Sequence, residues 1–158
     1  MYSAFLTIHN LLRWVVVIAG LVAVIRAIAG LTGSRTWKRA DDRAGLIYTV
    51  AFDLQVLVGL ILYFALSPIT TRALGDFAAA MANGLMRYFA VEHSLLMLVA
   101  LALAHVGRSL ARRAVDDRAK FRRAAIGFTL SFLVLLAAIP WPFLEPGRPL
   151  FRLFGLEF

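Results

Sequence analysis

All three histidines lie inside long apolar stretches of the sequence, two of them near the start of a stretch, and histidine is the side chain that most often binds a metal. His9 lies about six residues into the first stretch, and His93 lies about seven residues into the third. If both stretches are helices that start on the same side of a membrane, each imidazole is roughly 10 Å along its helix. Because these depths match, we predict that His9 and His93 are the axial ligands of one haem iron, with haem b as the cofactor.

Other interpretations of this histidine pair remain open. Histidines inside a membrane also line quinone sites or form hydrogen bonds between helices. A non-haem metal is less favoured, because Glu92 and His93 are neighbours and point about 100° apart on a helix. The sequence has no cysteine, which excludes disulfides, iron–sulfur clusters and covalently attached c-type haem. It also lacks a Gly-rich phosphate loop, a zinc motif and a nucleophile elbow, so no catalytic residue is predicted.

Arg13 follows His9 by one helical turn and therefore lies on the same face. We predict that it offsets the charge of a haem propionate or pairs with Glu92, unless it extends to the lipid headgroups. The helix faces that carry His9 and His93 also hold small residues: Gly20, Ala100 and Ala104. These would leave room for a flat macrocycle or simply allow close helix packing.

Further polar residues lie closer to the other side of the membrane. Arg26 and Asp53 are predicted to form an ion pair, since an unpaired carboxylate in an apolar surrounding is costly. Gln55 is assigned to the same depth, and His105, with no second histidine at its level, is expected to be structural. The Asp-Asp-Arg triplets at 41–43 and 116–118 are predicted to be solvated charges that flank helix ends.

Four apolar stretches are each long enough to cross the hydrocarbon core of a bilayer, which needs about 20 residues. Apolar residues make up 61% of the chain and charged residues 16%, a composition for which a soluble domain of 158 residues has too little interior. We therefore predict an all-α, integral membrane four-helix bundle, residues 1–158, as a single transmembrane domain. The predicted spans are residues 4–31, 45–66, 86–106 and 124–143.

The net charge of +8 is concentrated between the apolar stretches, which indicates membrane topology and argues against a nucleic-acid partner. Segments 32–44 and 107–123 together hold eleven basic residues, whereas the opposite side holds four. The positive-inside rule then places both segments in the cytoplasm. The prediction is a multi-pass protein of the bacterial inner membrane with both termini periplasmic. The eleven residues are Arg35, Lys38, Arg39, Arg43, Arg108, Arg112, Arg113, Arg118, Lys120, Arg122 and Arg123.

Two segments outside the spans have patterns of their own. The spacing of Leu74, Phe77 and Met81 predicts a short amphipathic helix over residues 70–83 that lies in the membrane interface, after Pro68 has ended the second span. The C-terminal tail, residues 140–158, begins with two prolines and is not expected to continue the fourth helix. Its apolar residues suit lipid headgroups or a partner protein: Leu150, Phe151, Leu153, Phe154, Leu156 and Phe158.

Four short motifs, spread over nearly the whole chain, resemble a family of small four-helix bacterial membrane proteins labelled cytochrome b-like, found chiefly in Bacteroidota and related phyla. The resemblance implies haem binding, with His9 and His93 at the matching histidine positions. The motifs are His-Asn-Leu-Leu-Arg-Trp at 9–14, Leu-Gln-Val-Leu-Val-Gly-Leu-Ile-Leu-Tyr at 54–63, Val-Glu-His at 91–93 and Ile-Pro-Trp-Pro-Phe at 139–143.

Together these observations favour a membrane b-type cytochrome-like protein that exchanges electrons with the quinone pool or a membrane redox partner. The alternative is a cofactor-free accessory subunit that stabilises a larger respiratory or photosynthetic membrane complex. In that case the tail and the interfacial helix would contact other membrane-protein subunits.

Overall fold

The computed structural model describes residues 1–153 and 156–157, and this part of the chain is helical apart from short connections, an irregular segment after residue 138 and two short strands. The four long helices are α1 (Tyr2–Thr32), α2 (Arg39–Ile61), α6 (His93–Arg112) and α7 (Asp117–Ala138). Between α2 and α6 lie α3 (Pro68–Gly75), α4 (Phe77–Ala82) and α5 (Gly84–Arg87). Single π-helical turns follow α2 at Leu62–Leu66 and precede α6 at Tyr88–Glu92. The hairpin pairs β1 (Arg152–Leu153) with β2 (Leu156–Glu157) in antiparallel register.

Four helical segments have the length and apolar composition needed to cross a membrane, as the sequence predicted: Tyr2–Thr32, Arg39–Leu66, Gly84–Arg112 and Asp117–Ala138. The fourth ends at Ala138 and not at residue 143, because Pro140 and Pro142 cannot donate the backbone hydrogen bonds that a helix requires. Helices α6 and α7 extend into the second basic segment, which leaves a short connection between them.

The four long helices form a bundle in which α1 packs against α2 and α7, and α6 packs against the same two helices. Helices α1 and α6 therefore face each other across the bundle. We call the end that holds His9 and His93 the histidine end. The opposite end, with segments 32–44 and 107–123, is called the basic end.

The bundle core is built from large aromatic side chains and one polar relay. Tyr48, Phe52 and Phe121 are fully buried. The Tyr48 hydroxyl lies 2.7 Å from Ser131 Oγ, which in turn donates to the carbonyl of Ala100 at 2.7 Å. The relay connects α2, α7 and α6 and satisfies the hydroxyl groups, which would otherwise be costly to bury.

Glycines set the closest approach of the helices. A Cβ added to Gly127 would lie 2.3 Å from the Cα of Gly107, so the backbones of α7 and α6 are in direct contact there. Gly20 is covered by Tyr48 and Phe132, and Ala100 is fully buried in the core. Gly20 and Ala100, which the sequence suggested as space for a macrocycle, thus serve ordinary helix packing.

The predicted ion pair between Arg26 and Asp53 is wrong. Arg26 binds Asp41 instead, with Nη2 at 2.7 Å from Oδ1, and Arg35 joins the same oxygen at 3.3 Å. Asp41 is 4% exposed and also accepts from the backbone N–H of Lys38, so it is not the solvated charge that was expected. Its position at the start of α2 places the carboxylate at the positive end of the helix dipole.

Asp53 is paired with His105, whose Nε2 lies 2.8 Å from Oδ1, and both side chains are about half exposed on the bundle surface. In the second triplet, residues 116–118, Asp116 flanks a helix end as predicted. It caps α7 by accepting from the N–H of Ala119.

The amphipathic helix predicted over residues 70–83 is divided in two. Asp76 leaves the helical conformation between α3 and α4, and its carboxylate caps α4 by accepting from Ala79 N–H at 3.0 Å. Leu74 and Phe77 are 43% and 51% exposed, so an apolar surface remains on this connection. Pro68 is the first residue of α3, where its missing N–H costs nothing.

Candidate functional site

The structure brings His9 and His93 together at the histidine end. Their ring centroids are 6.4 Å apart and their planes are inclined by 71°. His9 comes from α1 and His93 is the first residue of α6, so the two rings approach from opposite sides of the bundle. The predicted match in depth is therefore confirmed.

The end of α7 orients the ring of His93. Nδ1 lies 2.8 Å from the carbonyl oxygen of Ala138, the last residue of that helix. A carbonyl only accepts, so Nδ1 carries a proton, and in the neutral imidazole Nε2 then keeps its lone pair. The last carbonyls of a helix lack partners within the helix, and the hydroxyl of Tyr88 also donates to this one at 2.9 Å. The π-helical turn Tyr88–Glu92 immediately precedes His93 and sets its direction, a common use of such turns near sites.

The ring of His9 lies against α2. A Cβ on Gly59 would lie 3.2 Å from His9 Cε1, so glycine leaves the space that the ring occupies. His9 Nε2 is 3.3 Å from the side-chain nitrogen of Gln55, one turn earlier on α2. The other polar atoms of this contact, His9 Nδ1 and Gln55 Oε1, are buried without a hydrogen-bond partner. Burying a polar atom without a hydrogen-bond partner costs free energy. These two atoms therefore indicate that a bound group forms hydrogen bonds with them.

Gln55 was assigned to the opposite half of the membrane, and this assignment is wrong. The residue is buried and contacts His9 because α2 continues to Ile61 and its π-helical turn to Leu66. The contacts of His9 with Gln55 and of His93 with the Ala138 carbonyl are also hydrogen bonds between helices, the alternative to haem that the sequence left open.

A cavity of about 380 Å³ adjoins both histidines. Its walls come from α1, α2, α6, α7 and the tail, and they are mainly apolar, with Val56, Met97 and Leu135 as examples. Leu60 and Leu98 line the cavity and are also 40% and 47% exposed on the outside, so it reaches the surface between α2 and α6. An apolar pocket with a few convergent polar groups is typical of a small-molecule or cofactor site.

The C-terminal tail closes the histidine end. Arg13 donates to the carbonyls of Leu150 and Pro149, and Trp14 Nε1 donates to the same Leu150 carbonyl at 3.0 Å. The ring of Trp14 stacks on Phe151 with centroids 5.3 Å apart. The tail thus folds back onto α1. Of the apolar tail residues named from the sequence, Phe154 and Phe158 lie outside the described residues.

The predicted pairing of Arg13 with Glu92 is wrong, since Glu92 pairs with Arg87 at 2.8 Å. Arg13 instead lines the cavity together with Arg148 and Arg152. The described lining includes these three arginines and contains no aspartate or glutamate. This favours a ligand that carries carboxylates or another anionic group.

The separation of the two rings fits two histidine ligands of one metal ion. Two imidazoles that share one metal at about 2 Å from each nitrogen have ring centres about 6 Å apart, close to the separation of His9 and His93. Within the described part of the chain, no group of three or more histidine, cysteine or carboxylate side chains could hold a different metal ion.

Sequence reasoning missed several residues of the site. Gln55 and Gly59 of α2 and Tyr63 of the π-helical turn that follows it line the cavity and recur every four residues, a spacing that places them on one helix face. Tyr63 donates to the carbonyl of Ala90 at 2.8 Å and holds α2 against the start of α6.

Comparison with protein-family models, curated proteins and solved structures gives no significant match to this chain.

Proposed function

We propose that this protein is a membrane b-type cytochrome that exchanges electrons with the quinone pool or with a membrane redox partner. The observation that carries the proposal is the placement of two imidazoles from opposite helices, His9 and His93, with ring centroids 6.4 Å apart beside a largely apolar cavity. When bound, haem b would supply one-electron chemistry at its iron.

The chain itself would select and orient the cofactor. The Ala138 carbonyl fixes the tautomer of His93 and leaves Nε2 as the ligating nitrogen, the arrangement that metal-binding histidines usually have. Gly59 makes room for the ring of His9. Arg13 and Arg148 bring positive charge to the side of the cavity that the tail covers, where propionates would lie. The apolar walls exclude water.

An optical spectrum of the purified full-length chain tests this proposal. After expression with a haem supply, we expect a Soret band and a reduced-minus-oxidised α-band, with one haem per chain by pyridine haemochrome assay. A colourless preparation that is fully folded would contradict the cytochrome. If that preparation carries extractable quinone, the cavity is a quinone site.

We further propose that the four apolar helices lie in the bacterial inner membrane with both termini periplasmic. The basic end holds eleven lysines and arginines in its two segments, and such segments remain in the cytoplasm. The short helices α3 and α4 would then lie in the periplasmic interface, with Leu74 and Phe77 facing lipid.

Single cysteines test this orientation, because the chain has none of its own. Ser34→Cys and Val115→Cys lie at exposed positions of the basic end, whereas Gly75→Cys lies on the other side in open space. In intact cells, a membrane-impermeant thiol reagent should label only Gly75→Cys. All three should react after the membrane is permeabilised, and the reverse pattern in intact cells would invert the proposed topology.

A second candidate function, the accessory subunit, is favoured by the apolar surface of the tail. Leu153 and Leu156 are 42% and 64% exposed outside the long helices. Burying a leucine is worth about 1.5–3 kcal/mol, so several such residues would hold a partner subunit.

The matched test replaces Leu153 and Leu156 by serine, which leaves the contacts of Arg13 and Trp14 with the tail in place. If the protein belongs to a larger complex, the double variant should migrate as a smaller particle than the wild type after mild detergent extraction. Leu21→Ser/Ile25→Ser, exposed on α1, is the control for lost lipid contact. Identical migration of the wild type and the tail variant would contradict the subunit function.

A further inference from the structure

A second concave site lies at the basic end, far from the histidines, and we propose that it binds the phosphate of an anionic phospholipid. Its residues recur on one face of α6, where His105, Arg108, Ser109 and Arg112 follow the spacing i, i+3, i+4, i+7. Together with Arg113 they line a depression of about 440 Å³. This inference does not depend on haem binding.

The charge of the depression is not balanced by the protein. Asp42 is the carboxylate nearest to the arginines, with Oδ1 at 3.5 Å from Arg108 Nη2 and 3.8 Å from Arg112 Nε. Both distances are longer than a hydrogen bond. Asp42 faces the guanidinium groups of Arg108 and Arg112, and Arg113 adds a third positive charge without an ion pair among the described residues.

Arg108 is held in place for binding. Its side chain is 18% exposed, and its Cδ packs beside Gly45 of α2 at 3.7 Å from the position of a Cβ. Its Nε is buried without a hydrogen-bond partner. The planar guanidinium group presents donors in a geometry that matches phosphate oxygens.

The surroundings select a lipid over a free anion. The depression lies where the apolar part of α6 gives way to arginines, so it is at the level of lipid headgroups in a membrane-spanning bundle. Exposed apolar side chains flank it on both helices: Val106 on α6 is 54% exposed, and Leu46 and Val50 on α2 are 40% and 46% exposed. Acyl chains would cover these side chains while the phosphate meets the arginines.

His105 forms part of the wall of the proposed site. Its Nε2 is already engaged with Asp53 at 2.8 Å. The same pair of side chains is about half exposed towards the lipid, so a headgroup beside it would also shield a polar contact from hydrocarbon.

Native mass spectrometry of the full-length protein in detergent micelles tests the site. Palmitoyl-oleoyl phosphatidylglycerol is compared with phosphatidylcholine of the same chains and with inorganic phosphate. We expect one phosphatidylglycerol to remain bound preferentially. Arg108→Gln/Arg112→Gln should weaken its binding about tenfold to thirtyfold. Arg118→Gln/Arg122→Gln makes the same charge change at exposed positions of α7 and should stay within about twofold of the wild type.

Three results would overturn the proposal. Equal retention of phosphatidylglycerol and phosphatidylcholine would show no headgroup selection, and an equal loss in both double variants would show only general attraction to the basic end. Displacement by millimolar inorganic phosphate would identify a free-anion site. If Arg108→Gln/Arg112→Gln fails to fold, Arg112→Gln/Arg113→Gln provides the same test at two exposed side chains.

Discussion

Replacing His93 by asparagine is expected to remove haem from the protein while leaving the bundle folded. The asparagine side-chain nitrogen can still donate to the Ala138 carbonyl, which His93 Nδ1 reaches at 2.8 Å, but no ligating nitrogen replaces Nε2. Loss of an outer partner of a metal ligand already costs about 10–100-fold in affinity, so loss of the ligand itself should cost at least about 100-fold. The Soret absorbance per mole of protein measures this loss. His9→Asn should behave in the same way.

His105→Asn is the matched control, because it removes an imidazole from the same helix at the basic end. Its haem content should equal that of the wild type. Folding of each variant is checked by the helical circular dichroism signal and by gel filtration in detergent. A folded His93→Asn protein with undiminished Soret absorbance would show that His93 is not a ligand, and the proposed site would be wrong.

The second large effect is expected at the contact between α6 and α7. In Gly127→Ala the new methyl group would lie 2.3 Å from the Cα of Gly107, a backbone atom that cannot rotate away. The helices must separate, which loosens the packing next to the relay of Ser131 and Ala100. Overpacking of a tight core costs about 1–3 kcal/mol, and we expect about 3 kcal/mol here because the obstacle is backbone. Thermal unfolding should shift down by roughly 6–12 °C on the scale for 150–250 residues.

Gly84→Ala is the control for this substitution. A Cβ at this position of α5 meets no atom within 4 Å, so only the small backbone preference of alanine over glycine remains. Its unfolding temperature should change by no more than about 4 °C. Equal unfolding temperatures for Gly127→Ala and the wild type would mean that α6 and α7 do not approach as closely as the structure places them.

The four long helices were predictable because their signal is local. Each apolar stretch is long enough to span a membrane by itself, and a helix satisfies all its backbone hydrogen bonds within that stretch. The meeting of His9 and His93 was predictable for a related reason: equal depth on two helices that start on the same side requires only the rise per residue.

The partners of these residues were not predictable, because they depend on how the helices are rotated and on where they end. The sequence predicted that Asp41 is exposed to solvent, but α1 is rotated so that Arg26 forms an ion pair with it. The group that orients His93 is the carbonyl of Ala138, and every residue has a carbonyl, so no residue type marks it. Whether haem b, quinone or partner subunits bind stays a prediction.

The contacts of Arg13 and Trp14 with the carbonyl of Leu150 have a consequence for biosynthesis. They join α1 to a segment that follows α7 in the chain and is therefore made after all four long helices. Chains emerge from the ribosome N-terminus first, so the four helices can assemble while this wall of the cavity is still missing. A large rigid group would therefore meet an open bundle during synthesis, and the cavity would close behind it once the segment around Leu150 has been made.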